Sequence, residues 1–128
     1  MAEEGLSGET TIEDEVVASV AGIAAREVEG VASLGQSSIQ RAIAERVGTV
    51  AERTRGVEVE AGKRQAIVDL TLTIRYGFSI PKVVGEVRQK VAARLLEICG
   101  LEAIQINVRI VGVQFPEETK AEPVRRVE

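Results

Sequence analysis

The side chains of this sequence that could carry chemistry are few, and histidine is not among them. Without imidazole, the usual general base, metal ligand and triad partner are missing, so Ser-His-Asp and Cys-His hydrolases are excluded. Cys99 is the sole thiol, so neither an intrachain disulfide nor a zinc site of cysteine and histidine ligands can be assembled. At the end of an apolar helix and before Gly100, it is expected to be a buried, inert thiol. Carboxylates are the remaining catalytic chemistry: Asp69, which alternates with Thr71, Thr73 and Arg75, and the run Glu13-Asp14-Glu15. Acids at a helix start suit the helix dipole, and an aspartate among threonines on an exposed sheet face is normally solvated. Gly62-Lys63-Arg64 could touch a phosphate, but the glycine spacing of the Walker and dinucleotide loops is absent, and a charged hairpin tip serves solubility. The expectation is a non-enzymatic protein with no catalytic, cofactor-binding or metal-binding residue.

The elements that must position any functional surface are best defined over residues 65–115, which spell strand, helix, strand. Ala66, Val68, Leu70, Leu72, Ile74 and Tyr76 share one face of the first strand, opposite Asp69, Thr71, Thr73 and Arg75. Ile104, Ile106, Val108 and Ile110 repeat the alternation against Gln105, Asn107 and Arg109, so the sheet has one buried and one polar face. Between these strands Gly77 permits a reversal, Ser79 caps and Pro81 fits the first helical turn. The helix runs to Cys99, burying Val84, Val87, Val91, Leu95 and Ile98, with Lys82, Glu86, Lys90 and Arg94 on the wet side and Gly100 as its stop.

Upstream, residues 11–29 predict a first helix with Thr11 and Asp14 at capping-box spacing, an apolar stripe of Val16, Val20, Ile23 and Ala24, and Gly30 as terminator. A short strand at Thr10, Thr11 and Ile12 is the alternative start. Gly22, costly inside a helix by roughly 1 kcal/mol, points to close approach of a neighbour. In residues 31–56, Ile39, Ile43, Val47 and Val50 keep the spacing of a short amphipathic helix, capped by Ser37 or Ser38. Val57, Val59 and Ala61 form a short strand that turns at Gly62-Lys63 into the long one. The fold class is therefore α+β, a sheet of three to four strands with one face covered by helices, in a single domain.

A chain of 128 residues with 45% hydrophobic content can build one core unaided. Six acids and no base lie in residues 1–15, four acids against three bases in 116–128, and the overall charge is −4, so the body between them is mildly basic. We expect a disordered acidic leader over 1–9, the domain over 10–116 and a disordered polar tail over 117–128. A dedicated nucleic-acid binder needs a dense basic stripe, and RNA-binding sheets present aromatics at their centre. Here aromatics are 2% of the chain, Tyr76, Phe78 and Phe115, all near strand ends. The start has neither the basic nor the apolar region of a signal peptide, and no apolar run approaches the ~20 residues of a membrane span. A cytoplasmic protein without direct membrane insertion is expected.

What remains is surface. The uncovered sheet face, Ile67, Asp69, Thr71, Thr73, Arg75, Gln105, Asn107 and Arg109, is the candidate interaction site. The basic side of the later helix, with Arg88 and Lys90, is a second candidate, suited to an acidic partner or anionic headgroups. Two competing functions are a nucleic-acid or anion binder using Lys63, Arg64, Arg75 and Arg109, and a carboxylate-dependent activity at Asp69.

Three segments carry a family resemblance. They are Ile12 followed by the helix ending in Glu29-Gly30-Val31, the turn Tyr76-Gly77-Phe78-Ser79-Ile80-Pro81, and the run Gly100-Leu101-Glu102-Ala103-Ile104-Gln105-Ile106-Asn107-Val108-Arg109-Ile110 leading to Val113-Gln114-Phe115. Together they resemble the alkaline-shock, or Gls-type, envelope stress response family of bacteria over about residues 10–116, with the match weakest at 36–56. The resemblance implies a small cytoplasmic protein without known catalysis, associated with envelope stress tolerance and in some members held at the membrane by a small integral partner. No cofactor is expected. A self-associating scaffold recruited by such an anchor is the expected function.

Overall fold

The computed structural model describes residues 6–35 and 53–116. Their elements are helix α1 (Asp14–Arg26), strands β1 (Val31–Leu34), β2 (Val57–Ala61) and β3 (Gln65–Arg75), helix α2 (Ile80–Arg94), a π-helical turn (Leu95–Cys99) and strand β4 (Glu102–Gln114). The expected α+β class holds: one four-stranded sheet with helices packed on one face.

β3 is the spine of the sheet. β4 runs parallel to it along its whole length, from Gln65 opposite Glu102 to Arg75 opposite Gln114. The other edge of β3 is shared, because β2 takes Ala66 to Leu70 and β1 takes Leu72 to Ile74, both antiparallel. β1 and β2 therefore lie end to end along one edge, as a single line of chain interrupted after Gly35 and resumed at Gly56. The expected alternation in β3 holds: Ala66, Val68, Leu70, Leu72 and Ile74 are all buried under the helices. Tyr76 departs from it. It lies past the end of β3, is 64% exposed, and packs on Phe115 with ring centroids 5.0 Å apart.

In β4 the alternation is broken twice by an extra residue. Ala66 faces Ala103 while Ile67 faces Gln105, so Ile104 bulges out and is 51% exposed instead of buried. Leu72 faces Ile110 while Thr73 faces Gly112, which turns Val111 outward in the same way. Ile106, Val108 and Ile110 stay on the helix side, half-buried against the core.

α1 docks by a face other than the expected one, while α2 keeps most of its expected face, with Val83 buried in place of the half-buried Val84. In α1 the buried residues are Val17, Ala18, Ala21, Gly22, Ala24 and Ala25, and Val16 and Ile23 are exposed. Small side chains win because the helix lies almost in contact with backbone: a Cβ on Gly22 would come 2.5 Å from the Arg53 carbonyl oxygen. The close approach expected from Gly22 is thus present. The Thr11–Asp14 capping box does not form; Glu13 is the N-cap and makes no side-chain cap bond, and Thr10, Thr11 and Ile12 carry no strand. Gly30, with φ +105°, releases the chain into β1, a strand that the residue pattern did not reveal.

In α2 the Ser79 hydroxyl accepts from the Lys82 N–H and Pro81 sits in the first turn, as expected. Val83, Val87, Val91 and Leu95 are buried, and Ile98 is exposed. The π turn explains Ile98: an added residue per turn advances the helix face beyond its 3.6-residue phase, so a side chain counted as inward rotates out. Gly100, at φ +72°, ends the helix. Lys90 and Arg94, expected to be merely wet, reach Glu27, just past the end of α1, at 3.9 and 3.4 Å. The expected helix through Ile39, Ile43, Val47 and Val50 lies outside the described residues.

Candidate functional site

The eight residues expected on the open face are placed there together by the register of β3 and β4. Ile67 lies opposite Gln105, Asp69 opposite Asn107, Thr71 opposite Arg109, Thr73 opposite Gly112 and Arg75 opposite Gln114. Asp69, Arg75, Gln105, Asn107 and Arg109 are exposed, and Ile67, Thr71 and Thr73 are half-buried. The face has its own polar order. Gln105 Nε2 donates to Asn107 Oδ1 at 3.2 Å, and Asn107 Nδ2 donates to Asp69 Oδ1 at 2.7 Å. At the far end Arg75 Nη1 donates to Gln114 Oε1 at 3.4 Å. The amide of Asn107 thus has a defined orientation, with one N–H on the carboxylate and its oxygen toward Gln105.

Three contributors were not anticipated. Glu58 and Glu60 of β2 lie opposite Asp69 and Ile67, adding two acids to the face. Their signal was available in the alternation Val57-Glu58-Val59-Glu60-Ala61, once the hairpin register is drawn. Arg55 is the third. Its aliphatic stem covers Gly35, where a Cβ would fall 2.5 Å from its Cγ and Cδ, and its Nε and Nη2 are buried with no hydrogen-bond partner among the described residues. Nothing in the sequence around Arg55 marks this position.

Where β1 hands over to β2, the face sinks into an open depression of about 640 Å³, bordered by Arg55, Glu58, Asp69, Thr71, Asn107 and Arg109 among others. Its charged residues are two arginines and two acids, and Glu58, Asp69, Asn107 and Arg109 stand in solvent. Among the described residues no cluster of three or more histidine, cysteine, aspartate or glutamate side chains is placed to hold a metal.

The four basic residues of the competing anion reading do not converge. Lys63 and Arg64 sit in the loop before β3, and Arg75 closes the other end of that strand, roughly 30 Å away at ~3.3 Å per residue. Asp69, Glu58 and Glu60 lie between them. Cys99 is half-buried rather than buried as expected, and desolvation pushes its thiol above the ordinary cysteine range, in keeping with an unreactive residue. None of the helices of the described residues is long and apolar enough to cross a membrane.

A small α+β domain with helices on one side and an ordered polar face of mixed charge on the other is the class that this geometry defines. The chain belongs to the alkaline-shock protein family with a cell envelope-related function; the family pattern spans residues 2–115. YqhY of Bacillus subtilis is 36% identical over 118 residues, covering 92% of this chain and 84% of that protein. A stress response regulator Gls24 homologue of Streptococcus pyogenes is 28% identical over 119 residues, covering 93% of this chain and 66% of its own. The alkaline-shock resemblance of the sequence is therefore correct, and the family is one with a cell envelope-related function. Among solved structures, MamM CTD H264E shares the fold with a TM-score of 0.51 at 12% identity, over 78% of this chain and 95% of that one.

Proposed function

We propose that this domain is a non-enzymatic interaction module of the envelope stress response, which associates with copies of itself and is brought to the membrane by a small integral partner. The observation that carries this reading is the open face: Gln105, Asn107 and Asp69 are prearranged by hydrogen bonds, flanked by half-buried threonines, and left uncovered by both helices. Prearranged side chains lose little entropy on docking, which favours recognition by a protein surface. Family membership supports the envelope setting. The dispersed bases and interleaved acids speak against a nucleic-acid or free-anion site.

Recruitment is tested by co-sedimentation of the full chain with envelope membranes from a bacterium carrying a family member, and with vesicles made from the lipids extracted from them. The proposal expects retention on the membranes that is lost after they are treated with protease, and none on the vesicles. Equal retention on protein-free vesicles contradicts a protein anchor. Loss of a measurable turnover in Asp69→Asn, for any substrate that the wild type converts, contradicts the non-enzymatic reading.

A further inference from the structure

We infer that the free edge of β4 pairs antiparallel with β4 of a second copy of this chain, centred on Val108, joining two sheets into one. The inference rests on the self-association proposed above and names the surface that carries it.

β4 is 13 residues long, its inner edge is fully engaged by β3, and no described residue pairs with its outer edge. The opposite edge of the sheet is a poor template: it is interrupted at Gly35 and Gly56 and carries an irregularity between Val31 and Ser33. A long unpaired strand normally needs protection, and here one device is visible. Arg88 of α2 donates from Nε to the Ile106 carbonyl oxygen at 3.0 Å. That bond also shows which way the backbone points. Ile106 turns its carbonyl outward, and strand alternation turns the N–H and C=O of Val108 and Ile110 outward with it.

Charge selects both the partner and the register. Pairing centred on Arg109 sets two like charges directly opposite, which is destabilising. Pairing centred on Asn107 sets Arg109 against Gln105 of the second copy. Centring on Val108 instead sets Arg109 against Asn107 of the second copy, whose amide is already bonded to its Asp69. Each guanidinium then comes within reach of a carboxylate across the join, twice by symmetry. Val108 exchanges both backbone bonds with its counterpart, and Ile106 pairs with Ile110 on either side. The Ile106 carbonyl has a second lone pair for this bond, and the Arg88 guanidinium competes for the same oxygen. On the helix side, the half-buried row of Ile106, Val108 and Ile110 meets its own image and loses solvent contact. On the open face the two polar surfaces become one continuous face.

The test is disulfide trapping in a Cys99→Ser background of the full chain. Asn107→Cys chains are mixed with Arg109→Cys chains, because these positions form a non-hydrogen-bonded pair with Cα atoms about 4.5 Å apart in the proposed register. The mixed disulfide should form about tenfold faster than in either chain alone, and about tenfold faster than between Asn107→Cys and Thr73→Cys chains, since pairing raises the effective concentration of the matched thiols alone. In parallel, Val108→Pro removes an outward N–H, and should reduce the mass by light scattering to that of a monomer with unchanged far-ultraviolet circular dichroism. Assembly of the wild type with no preference for the matched pair overturns the edge and leaves self-association standing. A wild type that stays monomeric at every concentration overturns both.

Discussion

Gly35 and Gly56 are both held by Thr71: the Gly35 N–H donates to the Thr71 carbonyl, and the Thr71 N–H to the Gly56 carbonyl, each at 2.9 Å. One residue of β3 therefore closes β1 and opens β2, which keeps the shared edge in register across the interruption. The two glycines abut so closely that a Cβ on Gly56 would strike the Gly35 backbone, and Gly56 holds φ at +76°. Gly56→Ala should therefore destabilise the fold by about 2–4 kcal/mol, combining left-handed strain with a backbone clash. Urea denaturation measures it, and an unchanged midpoint would show that the two strands are not joined there.

Gly22 sets a second test of packing. On propensity alone, Gly22→Ala in the middle of α1 should stabilise by roughly 1 kcal/mol. The Arg53 carbonyl, 2.5 Å from the added methyl, reverses the sign, because the obstacle is backbone and cannot swing aside. We expect a net loss of about 1–3 kcal/mol by the same measurement. A gain would contradict the docking of α1 onto the chain entering β2.

Cys99 gives the alkaline behaviour. Desolvation raises its folded pKa above that of a free thiol, so once pH passes the free-thiol value the unfolded chain gives up a proton that the folded chain keeps. The thiol's contribution is whole below the free-thiol pKa and is lost as pH climbs from there through the raised folded value. Stability should fall more steeply in the wild type than in Cys99→Ala across that window, read as the difference between their urea midpoints at matched pH. Parallel curves would contradict a desolvated thiol.

Arg88 is predicted to restrain association rather than support it. Arg88→Ala frees the outward carbonyl of Ile106, and an unguarded edge is a better template. Sedimentation equilibrium should show a few-fold lower dissociation constant with an unchanged fold. Weaker association would mean that Arg88 belongs to the contact.

The eight-residue open face was legible because a strand reports its faces with a period of two, and β3 keeps that period without a break from Ala66 to Ile74. Ile104 and Val111 were not legible, because a bulge is a property of two strands and neither neighbour is named by the sequence around it. α1 misled for another reason. Val16 and Ile23 are its larger apolar residues, so hydrophobicity favours their burial, while close docking selects Ala21, Gly22 and Ala25. β1 was missed because Val31-Ala32-Ser33-Leu34 is short and carries no clean alternation. Glu58 and Glu60 could have been placed by pairing the hairpin residue by residue. Arg55 could not, since its position depends on contact with Gly35 across the sequence.

The central claim is that this domain works by assembling through its open face and the strand that borders it. Light scattering coupled to size-exclusion chromatography, over a concentration series, compares the wild type with the double variant Thr73→Glu/Arg109→Glu. The account predicts a wild-type mass that rises with concentration above that of one chain, and a variant that stays at one chain throughout. A wild type that never exceeds one chain, or a variant that assembles equally well, contradicts it.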